Sequence, residues 1–250
     1  MLSVAKGKER LDERLVREGL APTRSQAQAW ILAGRVLVDD APAAKAGQPV
    51  AADARVRLRG EARRYVSRGG EKLDGALADL GIDPAGKRCL DLGASTGGFT
   101  DCLLQRGARQ VVAVDVGYGQ IDVKLRDDPR VRLLERTNAR YLTRADVPEA
   151  VDLVTIDVSF ISATLLLPRV REIAPDAGVL VLVKPQFEVG RERVGKGGVV
   201  RDDADRAAAV ERVRTAAEAL GYVARGEAES RLPGPKGNRE VFLWLEPRGG

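Results

Sequence analysis

Histidine is missing from all 250 residues, which removes Ser-His-Asp triads, Cys-His nucleophile pairs and histidine-ligated zinc. Cysteine is almost missing. Cys89 and Cys102 are the two in the chain, too few for a disulfide framework and spaced unlike any metal knuckle, so no metal site is expected. Long apolar runs are absent too: the longest, such as Val179–Val183, fall far short of the ~18–20 residues a bilayer crossing needs. The first ten residues carry charge and lack the apolar stretch of a secretory signal, so the expectation is a cytoplasmic chain with no membrane partner. Lysine, carboxylate, backbone or a cofactor must therefore do whatever chemistry this chain performs.

What is present is charge, at 31% of residues, beside 44% hydrophobic residues. That balance describes a folded globular chain, and its length suits one large domain or two modest ones. The charge is uneven. Residues 1–68 hold 14 Lys and Arg against 8 Asp and Glu, whereas the rest hold 27 against 28. Such asymmetry points to a polyanionic partner for the N-terminal part, the plain alternative being a solvated basic surface.

The first ~60 residues have the pattern of a small α+β unit. Arg10–Glu18 forms a short helix with Leu11, Leu15 and Val16 on one face, stopped by Gly19. Thr23 and Gln26 make a capping-box pair for a second helix with Ala27, Trp30 and Ile31 as its apolar positions, ended by Gly34. Val36–Val38 is a short strand, Asp39-Asp40 a turn, and Val50, Val56 and Leu58 mark two more strands. Arg10, Arg14, Arg17, Arg24 and Arg35 lie on or beside the helices, where guanidinium groups can hold phosphates bidentately. The runs Arg10-Leu11-Asp12, Gly19-Leu20-Ala21, Thr23–Ala27 and Gly34–Asp39 resemble the alpha-L RNA-binding motif of ribosomal protein S-four. The resemblance implies recognition of structured RNA by shape and phosphate.

Residues 62–70, basic and glycine-ended, have the composition of a linker, giving expected domains of 1–61 and 71–250; Arg64 and Arg68 extend the RNA-binding set. Beyond, strand-like runs (88–92, 111–115, 131–134, 151–157, 179–184, 222–225, 240–245) alternate with helical patterns (71–80, 99–105, 162–173, 205–220). Alternation of this kind predicts an α/β fold with a mostly parallel, doubly wound sheet of seven strands.

The first of these strands runs into Asp91-Leu92-Gly93-Ala94-Ser95-Thr96-Gly97-Gly98-Phe99, which opens a helix. Glycines there let a ligand approach the backbone. Their spacing departs from the G-x-G-x-x-G of dinucleotide folds, which disfavours a nicotinamide cofactor and favours S-adenosylmethionine, whose adenosine carries no phosphate. Asp115 ends the next strand, about where a carboxylate meets ribose hydroxyls. Asn138 is either an adenine-side contact or the cap of a turn. Phe160 and Phe187 either stack on a base or cofactor or are packed aromatics. Gly190–Arg201 is expected to be a mobile loop over the site.

Together with Ile156–Phe160, Lys184–Gly190, Gly195–Asp202 and Tyr65–Leu73, these motifs resemble the FtsJ-like ribose 2′-O-methyltransferases, and with the N-terminal motif the hemolysin A/TlyA family of rRNA methyltransferases. The resemblance implies a Rossmann-like methyltransferase domain behind the RNA-binding one, S-adenosylmethionine as cofactor, and cytidines of ribosomal RNA or ribosomal subunits as substrate. It also implies a Lys-Asp-Lys-Glu tetrad, matched here by Lys72, Asp157, Lys184 and Glu240, with Asp157 also beside the cofactor; two surface ion pairs are the plain alternative. A ribose hydroxyl is a poor nucleophile, so the protein must align it and take its proton. Lys184 suits that task, as a base or as a cation steering the alkoxide. Alignment can supply ~7–11 kcal/mol and outweighs proton transfer, worth ~10²–10⁴-fold. Carbon-5 pyrimidine methylation needs a thiolate, but Cys89 and Cys102 sit in apolar segments. Amine methylases carry an Asn/Asp-Pro-Pro-aromatic motif where this chain has Asp157–Phe160. Two other classes compete: an RNA-binding factor with an inert methylase fold, against which the intact loop and tetrad speak, and a membrane-active hemolysin, which needs an apolar or basic amphipathic helix not evident here. Nothing requires more than a monomer.

Overall fold

The computed structural model describes residues 8–59, 64–234 and 236–249, so the junction expected at 61 and 62 lies outside the described residues. The chain forms two compact units, the second beginning at Arg64.

In the first unit, β1 (Lys8–Arg10) leads directly into α1 (Leu11–Arg17), followed by α2 (Arg24–Leu32), β2 (Val36–Val38), β3 (Ala41–Pro42), β4 (Pro49–Ala51) and β5 (Val56–Leu58). β1 pairs antiparallel with β4, and β2 lies between β3 and β5. The Thr23 hydroxyl caps α2 by accepting from Gln26 N, and Asp39 and Asp40, both at positive φ, turn the chain from β2 to β3. Leu11, Leu15, Ala27, Ile31, Val36 and Val50 close the core. Val16 does not join them: it is 37% exposed, because position 16 falls outside the stripe set by residues 11 and 15.

The second unit starts earlier than expected. Tyr65 is 2% exposed within its core, and α3 spans Arg68–Asp79 with Ser67 as its N-cap, so residues 64–70 are not linker. A basic, glycine-ended composition hid a helix start. There follow β6 (Arg88–Leu92), α4 (Gly98–Gln105), β7 (Gln110–Val114), α5 (Val123–Arg126), β8 (Val131–Leu134), β9 (Leu153–Ile156), α6 (Leu167–Ile173), β10 (Gly178–Val183), α7 (Pro185–Glu188), α8 (Asp203–Ala219), β11 (Tyr222–Glu229) and β12 (Val241–Pro247). The helix expected over 162–173 is divided, a 3₁₀ turn at Ala163–Leu165 preceding α6.

The seven strands run in the order β11-β12-β10-β9-β6-β7-β8. β8, β7, β6, β9 and β10 are parallel, and β12 is antiparallel to β10 and β11. β10 is buried throughout, as an apolar strand covered on both faces must be. One core cluster holds residues of α6 and α8, the other residues of α3 and α4. The chain winds outward from β6 to β7 and β8, then crosses back to β9. Order reverses at β6, and ligands of such sheets bind beyond the carboxyl ends of strands at that point.

Candidate active site

The glycine loop leaves β6 at this reversal. Gly93 and Gly97 both have φ of +93°, a left-handed conformation that side chains resist. A Cβ at Gly93 would lie 2.5 Å from the Asp157 carbonyl oxygen, so the loop is seated against the end of β9. At Gly97 a Cβ would strike Leu125. Substitution there is disruptive through packing alone.

Ser95 and Thr96 are exposed at the loop's crest. Asp115, half-buried just past β7, accepts from Ser95 N at 2.8 Å and from Gly117 N at 2.6 Å. Its carboxylate thus joins two loops at one edge and keeps lone pairs to spare. Val116, beside it, is 69% exposed. Asn138 follows β8 and accepts from Arg140 N at 3.0 Å, capping a 3₁₀ turn.

Two residues of the expected cofactor set lie elsewhere. Asp91 is fully buried and accepts from Thr100 Oγ1 at 2.7 Å and Thr155 Oγ1 at 3.0 Å. Burial pushes its carboxyl up to about 7. It braces β6, α4 and β9 beneath the loop rather than lining it. The Phe99 ring is likewise a core group, stacked 6.0 Å from Phe242.

The four tetrad residues come to the same edge as two ion pairs. Lys184, directly after β10, places Nζ 2.5 Å from Asp157 Oδ1, directly after β9, and 2.9 Å from Ser159 Oγ. Lys72, in the second turn of α3, places Nζ 2.5 Å from Glu240 Oε2. Val183 pairs with Val241 across the antiparallel strands, so Lys184 and Glu240 hold neighbouring positions at the end of that ladder. Glu240 is 1% exposed, and its Oε1 has no hydrogen-bond partner.

Sequence reasoning missed Ser159 and Asn238. Asn238 is 2% exposed; its Oδ1 accepts from Val200 N at 2.9 Å, and its Nδ2 donates to Gly198 O at 2.8 Å. It ties the segment before β12 to the Gly190–Arg201 stretch. The sequence suggests a mobile loop over the site there. The stretch is instead held by these bonds, a Gly195–Val199 bridge and an Arg193–Asp205 ion pair. A lone Asn between Gly237 and Arg239 carries no periodic or compositional signal, which is why it escaped notice.

The arginines expected to meet RNA divide by partner. Arg14 is corrected: its side chain is 8% exposed, donating to Ala51 O and Ala54 O and paired with Glu18, so it stitches the first unit together. Arg10 and Arg24 are half-exposed on Asp12, and Arg17 is exposed on Glu9. Arg35 lies 5.2 Å over the Trp30 ring with no acidic partner among the described residues. In the second unit, exposed Arg64 pairs with Asp74, and Arg68 donates to Pro233 O.

Comparison with known proteins agrees with both units. The profile of the FtsJ-like methyltransferases matches residues 65–247 and that of the S4 domain residues 9–56. The chain is 52% identical over 238 residues to the 16S/23S rRNA (cytidine-2′-O)-methyltransferase TlyA of Mycobacterium tuberculosis, covering 94% of this chain and 89% of that one. It is 40% identical to a protein named Hemolysin A from Brachyspira hyodysenteriae, over 93% of this chain and 98% of the other. A solved structure of a Streptococcus thermophilus protein, also labelled a hemolysin, superposes with a TM-score of 0.74 at 42% identity, covering 97% of this chain and 90% of that one.

Proposed function

Because the chain belongs to the FtsJ-like methyltransferase family, we propose that it transfers a methyl group from S-adenosylmethionine to a ribose 2′-hydroxyl of ribosomal RNA, at cytidines. The observation that carries this reading is the pair of lysine–carboxylate bridges at the sheet edge beside the glycine loop. The M. tuberculosis relative named for cytidine 2′-O-methylation supports the choice of target.

The residues present fit the cofactor. Ser95, Thr96 and the backbone of the left-handed loop offer polar contacts for its amino-acid end, Asp115 an acceptor for ribose hydroxyls, and exposed Val116 an apolar face for the base. When bound, S-adenosylmethionine supplies a methyl already activated on a sulfonium. The protein's own work is alignment and proton handling. Lys184, as the cation paired with Asp157, contacts the 2′-oxygen and offsets the charge that develops there as the hydroxyl proton passes to solvent water, while Asp157 and Ser159 fix the position of Nζ. Lys72 and Glu240 hold their charges buried next to that edge. Phe160, 89% exposed with φ of +70°, presents its ring for stacking on the target base.

RNA is held by the first unit through Arg35 and the outer faces of Arg10, Arg17 and Arg24, with Arg64 and Arg68 in the second. The enzyme works as a cytoplasmic monomer; among the described residues no helix is long and apolar enough to cross a membrane. Incubation with methyl-labelled S-adenosylmethionine and unmodified ribosomal subunits tests the reading. Labelled RNA is expected with the wild type and none with Lys184→Ala, whose cofactor affinity stays intact. Equal labelling by the variant would remove Lys184 from the mechanism.

A further inference from the structure

Asp157 and Lys184 each lie just past the end of their strand, where ladder hydrogen bonds no longer fix one segment against the other. In the register of β9 and β10, Ile156 pairs with Val181; Asp157 N still donates to Leu92 O of β6, but beyond it residues 158–163 and 184–188 leave the sheet as two separate loops. A spacing of 2.5 Å between Lys184 Nζ and Asp157 Oδ1 then needs something to hold the loops together.

Glu188 supplies that tie. It is 3% exposed at the end of α7, four residues after Lys184. Its Oε1 accepts from Ala163 N at 2.7 Å and its Oε2 from Ser162 Oγ at 2.5 Å. Both carboxylate oxygens are therefore spent on the loop that carries Asp157, Ser159 and Phe160. Arg212 of α8 donates to the Glu188 backbone carbonyl at 2.9 Å, anchoring α7 from behind. Between the two ends of this bridge, the Phe160 and Phe187 rings meet at 5.5 Å. A buried carboxylate costs stability unless its hydrogen bonds are made, and burial raises the Glu188 carboxyl above its ordinary range. Ser162 is itself the cap of the following 3₁₀ turn, through Thr164 N.

We propose that Glu188 is a positioning residue for methyl transfer: by clamping residues 162 and 163 to α7 it sets the spacing of Asp157 and Lys184 and the contact of Phe160 with Phe187. The proposal rests on the methyltransferase reading above for its consequence in catalysis, and on the hydrogen bonds alone for its consequence in structure. A loss of about 1 Å in alignment costs on the order of 10²-fold in rate.

The test compares Glu188→Ala, Glu188→Gln and Ser162→Ala with the wild type, each held well below its melting temperature. Glu188→Ala is expected to lower kcat about 10²-fold with little change in S-adenosylmethionine affinity. Glu188→Gln, which still accepts from Ala163 N and can donate to Ser162 Oγ, is expected to recover kcat to within about threefold of the wild type. Ser162→Ala, which keeps one of the two bonds, should fall between them and covers the case in which Glu188→Ala does not fold. A readout independent of turnover is the side-chain NMR resonance of Lys184 in lysine-labelled protein, expected to shift in Glu188→Ala and return in Glu188→Gln. Unchanged kcat in Glu188→Ala, or losses in all three variants that only track the folded fraction, would overturn the proposal. An unmoved Lys184 resonance would overturn it even for a wild type that methylates nothing, whereas a moved resonance in such a protein would leave the clamp standing and refute the methyltransferase reading instead.

Discussion

Asp12 in the first unit and Asp91 in the second are both completely buried, yet their surroundings treat the charge in opposite ways. Asp12 accepts from Arg10, Arg24 and Gln28, two of them cations. These donors, Arg10 foremost, hold its carboxyl far below the usual range. Asp91 meets the neutral hydroxyls of Thr100 and Thr155, and burial dominates, pushing it up to about 7. The lesson is that an inaccessible carboxylate is set by depth and donors together: Asp12 lies under cations that favour its ionised form, whereas Asp91 lies deep in the sheet among neutral donors. The first unit uses an ionised aspartate to order basic side chains that face outward. The second keeps one that burial inclines to hold its proton to brace a loop, and places its ionic pairs at the sheet edge.

The largest expected loss of stability breaks the first half of this contrast. Asp12→Asn removes charge-assisted bonds from a buried hub and should cost the first unit about 2–3 kcal/mol, read by denaturant unfolding. Because the folded-state pKa of Asp12 is depressed, its stabilisation is present above the ordinary carboxylate range and is lost as pH falls below about 4. The variant should therefore lose that acid sensitivity, and an unchanged acid limb would contradict the assignment.

A second pair of variants separates structural from outward-facing arginines in the same unit. Arg14→Ala strands the carbonyls of Ala51 and Ala54 and should cost about 2 kcal/mol of stability. Arg35→Ala should leave melting almost unmoved but weaken RNA binding and reduce the slope of log affinity against log salt by about 1. If Arg35→Ala leaves both affinity and slope intact, Arg35 does not touch phosphate.

A pH dependence, rather than a loss at one pH, sharpens the second half. With a raised folded-state pKa, the contribution of Asp91 is fully present below the ordinary carboxylate pKa of about 3.9 and declines as pH rises to about 7. Asp91→Asn carries no such decline. Its melting temperature relative to the wild type should climb between pH 4 and 7 by roughly 10 °C and then stay level. A constant difference across that range would show that Asp91 is ionised throughout.

Much of the fold was legible because periodicity survives burial. Arg88–Leu92 and Val131–Leu134 are strands with the bounds their residue patterns suggested. The glycine loop announced itself by spacing, and Lys184 and Asp157 by their places at strand ends. Less legible was everything set by tertiary partners. A composition typical of linkers concealed Tyr65 and the start of α3. Arg14 resembles its neighbours in sequence, and only the carbonyls of residues 51 and 54 make it structural. Asp91 looks like a ligand contact until Thr155, 64 positions away, is seen to claim it. The pairing of Lys72 with Glu240 joins residues 168 apart, a distance no local pattern spans.

The central claim is methyl transfer to a ribose oxygen, and the direct measurement is the chemistry of the product. Ribosomal subunits lacking the modification, treated with the enzyme and methyl-labelled S-adenosylmethionine, are hydrolysed in alkali, which cannot cleave next to a 2′-O-methyl group. Label in alkali-resistant dinucleotides with cytidine at the 5′ position, absent with Lys184→Ala, is the predicted result. Label released in ordinary mononucleotides would mean that a base is methylated and would contradict the account.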